Sequence, residues 1–365
     1  MPLGCRQPHL ASIAVKVTRK MIAAAAGVSL STVDMILSGS GERYRESTRT
    51  RVQRIAAEMG YLPSINARAM RLRRSLLFGV LLYDVNTHLA ADFLKGVQQA
   101  IAATDYSPLV FFASSPAEQV ACLARCRDRQ VDGLLLNCTV DPVTGLADDI
   151  AVHLNMFKIP AVEIFGRFIS AAPKVNVDNR ESGAIAVRHL VGLGHRRIAL
   201  VTHSRYRRTD THFDAWEHAC GYRDALASAG LEPMIEAREM DYDHLGDSTL
   251  LAAGFEALDP LLALPQAPTA VVCYDDRMAF GLNRACRAKG ISVPDRLSIC
   301  GNSGLTLSAI TNPPITTIRP PYFEVGRTAA AKLLQILDGE TPGDSLMAPE
   351  LELRQSTTSP LESLG

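Results

Sequence analysis

The chain has 365 residues, 47% of them hydrophobic and 21% charged, with 38 bases balanced by 38 acids. That length asks for two or three domains rather than one core, and no apolar run reaches the ~18 residues that a membrane-spanning helix needs. The neutral total hides an asymmetry: residues 1–78 carry thirteen Lys and Arg against Asp34, Glu42, Glu46 and Glu58, a basic surplus that suits a polyanion partner, while the remainder is acidic.

The first sixteen residues hold Arg6, His9 and Lys16 but neither the apolar core nor the cleavage pattern of a secretory signal, and read as a loose leader. Thr18 then caps a helix over Arg19–Ala26, Gly27 stops it, and Ser29 caps a second helix reaching about Ser38. After the loop "SGSGERYR", the stretch "STRTRVQRIAAEMG" predicts a third helix with Val52, Ile55, Ala56 and Met59 on one face. Three short helices with a tight turn between the first two make a helix-turn-helix head over 17–62. "YLPSINARAMRLRRS" is basic, contains Pro63 and has no apolar stripe; it reads as a linker over 63–75 whose Asn66–Met70 part becomes helical when docked.

From Leu76 the pattern changes. "LLFGVLLY", "SPLVFF", "VDGLLLN", "IPAVEIF", "RRIALVT", "PTAVVCY" and "RLSICG" are short apolar runs of the kind buried in a parallel sheet. Amphipathic stretches such as "ADFLKGVQQAIAAT", "AEQVACLARCRDR", "RESGAIAVRHLVGLG" and "DDRMAFGLNRACRAKG" alternate with them. That βαβ repetition predicts a doubly wound α/β body over 76–357, followed by a tail at 358–365. Its size and the break near Lys174–Asn179 divide it into two lobes, the first over about 76–178 and 308–342, the second over about 179–307 and 343–357. Ligands of such sheets sit outside the carboxyl ends of the strands, here between the lobes.

No phosphate loop, no GxGxxG after a strand and no GxSxG elbow is present, and "GLGHRR" ends a helix and starts a strand, the reverse of a phosphate loop. An enzyme has no constellation to rest on. The eight cysteines form no CxxC pair and the nine histidines no HExxH, so no metal or cofactor is expected, and the thiols read as buried small hydrophobes in a reducing cytoplasm.

Taken together, "AAAAGVSLSTV", "RTRVQRIAAEMGYLPSINARAM", "VDNRESGAIAVRHLVGLGHRRIALV", "DDRMAFGL" and "ELELRQST" resemble the LacI/GalR (lactose-repressor) family of bacterial transcription regulators, from about Val17 to Thr357. The resemblance implies a helix-turn-helix head, a hinge helix and a two-lobed body like a periplasmic binding protein of type 1. It also implies a cytoplasmic homodimer on operator DNA, a repressor governed by a small molecule in the cleft. No leucine heptads follow Thr357, so a dimer is expected rather than a tetramer, with "ADFLKGVQQAI" and "AEQVACLARC" at its interface by resemblance. A solute-binding transport protein shares the body fold, but would need a secretion signal and no basic head.

Phosphates would be met by Thr18, Ser29, Ser31, Thr32, Arg43, Arg45 and Arg49. By resemblance, bases are read by Leu30, Ser31 and Met35, and the minor-groove wedge is Met70, with Asn66, Ala67 and Arg68 beside it. Two letters depart from the family, which usually has Ser-Arg where this chain has Asp34-Met35. Met35 cannot fork onto guanine, and with Leu30 points to thymine methyls instead. Asp34 falls where a phosphate is expected and needs an arginine, Arg43 or Arg45, to offset it. The cleft departs too: the usual Asp, Arg and Asp pair are replaced by Phe165, His218 and "NSG" (Asn302, Ser303, Gly304). Tyr83, Asp84, Phe165, Arg167, His218, Tyr242, Asp275, Ser303 and Tyr322 then form an aromatic and acidic pocket for a polyol, an aromatic glycoside or a cation, rather than an acid sugar.

Overall fold

The computed structural model describes residues 17–61, 69, 72–82, 88–113, 115–137, 146–167, 172–203, 213–238 and 247–361. They form two compact units that divide between Arg73 and Arg74. Most of the predicted linker, with Asn66, Ala67, Arg68 and Met70, lies outside the described residues.

The head consists of α1 (Arg19–Ala26), α2 (Leu30–Leu37) and α3 (Glu46–Glu58). Thr18 Oγ1 accepts from the Met21 N–H, and Ser29 Oγ from the Thr32 N–H, so each short helix has one of its orphan donors satisfied by a cap. Gly27 takes φ +63°, the left-handed conformation that ends α1, and the chain bends by 110° into α2. Ile22, Ala23, Ala26, Val33, Ile36, Val52 and Ala56 close a small core, with Ile55 and Met59 packed at its edge.

The second unit holds two six-stranded sheets. Its first lobe runs β1 (Leu77–Leu82), α4 (His88–Ile101), β2 (Ser107–Phe112), α5 (Pro116–Asp128), β3 (Gly133–Leu136), α6 (Leu146–Phe157), β4 (Ala161–Ile164) and β5 (Lys174–Val177). The second runs α7 (Asn179–Gly192), β6 (Ile198–His203), α8 (Phe213–Ser228), β7 (Met234–Arg238), α9 (Asp247–Glu256), α10 (Leu258–Leu262), β8 (Ala270–Cys273), α11 (Asp276–Ala288), β9 (Ser298–Asn302) and β10 (Thr316–Arg319). α12 (Tyr322–Leu337) and β11 (Ser345–Met347) return to the first lobe, and β12 (Glu350–Glu352) ends in the second. The sheet orders are β2-β1-β3-β4-β5-β11 and β7-β6-β8-β9-β10-β12, the same winding twice. Every described pairing is parallel except β12 on β10.

Two lobe boundaries differ from the sequence expectation. The strand at Thr316–Arg319 pairs with Cys300–Asn302 in the second sheet, so the chain recrosses at Pro320–Pro321, not near 308. Ser345–Met347 pairs with β5 in the first sheet, which moves the last crossing to between Met347 and Glu350 rather than 342. Both strands are only three or four residues long and mix polar with apolar side chains, so neither has the long apolar run by which buried strands are recognised.

Helices pack in three close pairs, α4 with α12, α7 with α8, and α9 with α11. Glycine faces backbone from both sides of each pair: Gly96 and Gly326, Gly183 and Gly221, Gly254 and Gly281. A Cβ on Gly221 would stand 1.7 Å from the Arg180 carbonyl oxygen, and one on Gly96 would stand 1.9 Å from that of Phe323. Gly221→Ala therefore forces α7 and α8 apart and is expected to destabilise the second unit by about 2 kcal/mol or more, read as a lower midpoint in thermal unfolding of the full chain.

Candidate nucleic-acid interface and ligand cleft

The start of α2 is a cluster of hydroxyls around one apolar side chain. Ser29 Oγ lies 3.2 Å from Ser31 Oγ and 2.8 Å from Thr32 Oγ1, and Leu30 beside them is 47% exposed although large and apolar. Met35 is half-buried one turn further on. In the loop before α3, Arg43 donates to the Tyr44 hydroxyl at 3.1 Å and lies over its ring. Arg43, and after it Thr32, lowers the Tyr44 phenol from its ordinary range. Arg45 is exposed at the N-cap of α3, and the Nε of half-buried Arg49 has no hydrogen-bond partner among the described residues.

Asp34 is not offset by Arg43 or Arg45, as its charge alone suggests. Its partner is Arg19, whose Nη1 donates to Asp34 Oδ1 at 2.8 Å while Nε donates to the Tyr61 hydroxyl at 2.7 Å. The bend at Gly27 swings α2 back across the first turn of α1, which brings the two within reach; Arg43 is turned to Tyr44 instead.

In the body, the predicted ligand residues that are described lie at the carboxyl ends of strands or on the helices beside them. Phe165 follows β4 at φ +54°, where Asn176 of β5 clamps the turn, donating to the Gly166 carbonyl (2.8 Å) and accepting from its N–H (3.0 Å). Its ring meets Phe93 and Tyr322 edge-on, both at 5.8 Å. Tyr322, at the first turn of α12, has its phenol raised by burial first and then by Asp275, Asp214 and Asp276 of the second lobe, so it looks across the cleft. Arg167 lies 6.0 Å from the ring of Trp216 on α8, a second contact across the cleft. Tyr83, Asp84 and Tyr242 lie outside the described residues.

On the second lobe the expected acidic character is corrected. Asp275 caps α11 and is fully engaged: Arg277 forks onto both its oxygens at 2.8 Å, and the Ser303 hydroxyl donates at 3.0 Å. Burial would raise its carboxyl, but Arg277 and then Ser303 hold it below the ordinary range. Asp276 is buried beneath, where the Leu305 N–H (2.8 Å) and the hydroxyls of Ser308 and Thr317 (2.6 Å each) donate to it. Burial pushes it up to about 6, the hydroxyls opposing. Asp214 of α8 accepts from the Tyr274 hydroxyl. All three acids already accept hydrogen bonds from the protein's own donors.

His218 is not satisfied in this way. It is 1% exposed on α8, edge-on to Tyr274 at 5.8 Å, and neither ring nitrogen has a hydrogen-bond partner among the described residues. Burial, partly opposed by Asp214, pushes it down to about 4, so at neutral pH the ring is uncharged and offers one donor and one acceptor. Sequence reasoning missed Asp214, Trp216, Tyr274 and Arg277; only the nearness of Arg277 to Asp275 in "DDRM" signalled one of them. A separate open groove of about 440 Å³, between β7 and Leu261 and Leu264, is apolar and carries no titratable side chain.

Residues 19–64 match the bacterial regulatory proteins of the lacI family, and residues 187–357 match the periplasmic binding protein-like domain. The chain is 30% identical over 358 residues to the HTH-type transcriptional repressor CytR of Escherichia coli (strain K12), covering 93% of this chain and 96% of that one. It is 29% identical over 351 residues to the ribose operon repressor of Haemophilus influenzae, at 94% and 99% coverage. Among solved structures it is similar to the Lac repressor dimer bound to operator and the anti-inducer ONPF (TM-score 0.77, 25% identity, 94% and 99% covered) and to a CelR–cellobiose complex (TM-score 0.65, 26% identity, 93% and 99% covered).

The buried imidazole makes a pH test. Below pH 6.5 the unfolded chain takes up a proton on His218 that the folded chain refuses until about pH 4, so stability is lost as pH falls through that window. Asp276, raised when folded, has the opposite sign, but it is common to wild type and variant. The stability difference between wild type and His218→Asn, read by urea unfolding, should shift against wild type by about 2 kcal/mol between pH 7.5 and pH 5; a constant difference would refute a neutral buried ring.

Proposed function

The chain belongs to the LacI family of bacterial regulatory proteins, and from that membership we propose that it is a sequence-specific DNA-binding repressor of transcription whose operator affinity is set by a small molecule held between the lobes of its body. The observation that carries this reading is the exposed start of α2, hydroxyls and Leu30, on a basic helix-turn-helix head. Thr18, Ser29, Ser31, Thr32, Arg43, Arg45 and Arg49 serve the phosphates, while Leu30, Ser31 and Met35 face the bases. The linker residues Asn66, Ala67, Arg68 and Met70 take the minor groove. The chain works as a homodimer in the cytoplasm and regulates rather than catalyses.

The effector is an uncharged polar molecule. The engagement of Asp214, Asp275 and Asp276 argues against a cation. The edge-on rings of Phe165 and Tyr322 favour a ligand with an apolar face to stack against them. Tyr83, Asp84, Arg167, Tyr242 and Ser303 complete the lining. Such a ligand alters operator affinity only by its differential affinity for the lobe arrangements that do and do not favour DNA.

Titration of palindromic duplexes selected from a random pool, at two salt concentrations, tests the DNA function. Binding should weaken with salt at a slope of roughly −0.9 per phosphate neutralised, with two chains per duplex. Absence of sequence preference at both concentrations would sink it. Trp216 is the single tryptophan and lies against Arg167 across the cleft, so its emission should change on adding an uncharged sugar or nucleoside that fits. Saturation by a uronate instead would overturn the uncharged effector.

A further inference from the structure

Asp34 is an acid on the face of α2 that begins with Leu30, one helical turn away. The proposed DNA-binding function, on which this inference rests, presses that face toward phosphates. An unpaired carboxylate there would weaken every complex alike. Three distances give it another role. Arg19, the first residue of α1, places Nη1 2.8 Å from Asp34 Oδ1 and Nε 2.7 Å from the Tyr61 hydroxyl. Tyr61 follows α3, its N–H bound to the Ala56 carbonyl at 2.8 Å, and is the last described residue before the linker. One guanidinium therefore joins the start of α1, the middle of α2 and the exit of α3. The side chains of Arg19 and Asp34 are 21% and 43% exposed, neither free in solvent nor buried.

We propose that Asp34 is a positioning residue for DNA reading, which through Arg19 and Tyr61 sets the angle at which α2 presents Leu30, Ser31 and Met35, and that it faces no phosphate. The fully buried part of the head core is a short set of alanines, valines and isoleucines, a small area to resist rotation of one short helix on another. A planar fork with two fixed donors resists it in two directions. The same pairing removes the cost of carrying an acid against a polyanion.

The test uses the full chain and two duplexes, the selected operator and a scrambled one of equal length, at two salt concentrations. Asp34→Asn should tighten binding to the scrambled duplex, since one negative charge is gone, yet lower the operator-over-scrambled ratio at least about fivefold, the low end of what one base contact supplies. The double variant Asp34→Asn/Arg19→Gln has the wild-type net charge and should keep the lowered ratio. Arg19→Lys keeps the charge without the fork and should also give a low ratio. Tyr61→Phe removes one hydroxyl and keeps the ring in the fold; it should lower the ratio in the same direction. Equal tightening on both duplexes by Asp34→Asn, or recovery of the ratio in the double variant, would make Asp34 a plain phosphate repeller and overturn the proposal. An unchanged ratio in Tyr61→Phe would overturn the three-way tie. A wild type with no operator preference would bring down the DNA function itself, and the proposal with it.

Discussion

Backbone-to-backbone contact between paired helices is the constraint on which the body depends. Where Gly183 meets the His218 carbonyl and Gly221 meets that of Arg180, α7 and α8 come closer than any side chain allows. That proximity carries His218 inward to Tyr274 and out of reach of water. The pair α4 and α12 works alike in the first lobe: Gly326 sits on the Phe93 carbonyl, and the crossing stacks Phe93, Phe165 and Tyr322 into one aromatic wall. The walls of the cleft are thus set by helix spacing before any ligand chemistry is considered, because interiors packed to crystal density transmit a displaced backbone to everything resting on it.

Charge is handled in the same way in head and body. Asp34 is paired with Arg19, Asp275 is paired with Arg277 and hydrogen-bonded by Ser303, and Asp276 is hydrogen-bonded by two hydroxyls and a backbone N–H. A carboxylate removed from water must be paired or hydrogen-bonded, so these acids act inside the protein and are lost to recognition. What remains for recognition is of a different kind: hydroxyls and an apolar side chain at the start of α2, and the aromatic rings of Phe165 and Tyr322 in the cleft. Both suit partners chosen by shape and hydrogen-bond pattern, with the basic surplus of the head supplying attraction without selectivity.

Much of the architecture is legible along the chain because its signals are local. Thr18, Gly27 and Ser29 cap and break α1 and α2 through bonds within four residues, so their roles follow from spacing. Six of the seven apolar runs lie inside the sheets and are readable because both their faces are buried, and the seventh, "SPLVFF", is readable by its apolar length although it is an edge strand and only partly buried. The strands "KVNV", "TTIR" and "SLM" escape notice, being short and mixed in polarity, and with them go the two misplaced lobe crossings.

The sequence by itself determined the helix-turn-helix head, the repeated βαβ winding, the basic and acidic halves and the family, since each rests on periodicity, capping or motif order. Only the tertiary structure decided the partners of the charged groups. Arg19 lies fifteen residues from Asp34 and forty-two from Tyr61, while Ser303 stands twenty-eight from Asp275. Whether an acid is free to hold a ligand, and whether a histidine is charged, depends on what the fold brings within 3 Å and on how much water it excludes, and neither quantity is written in local order.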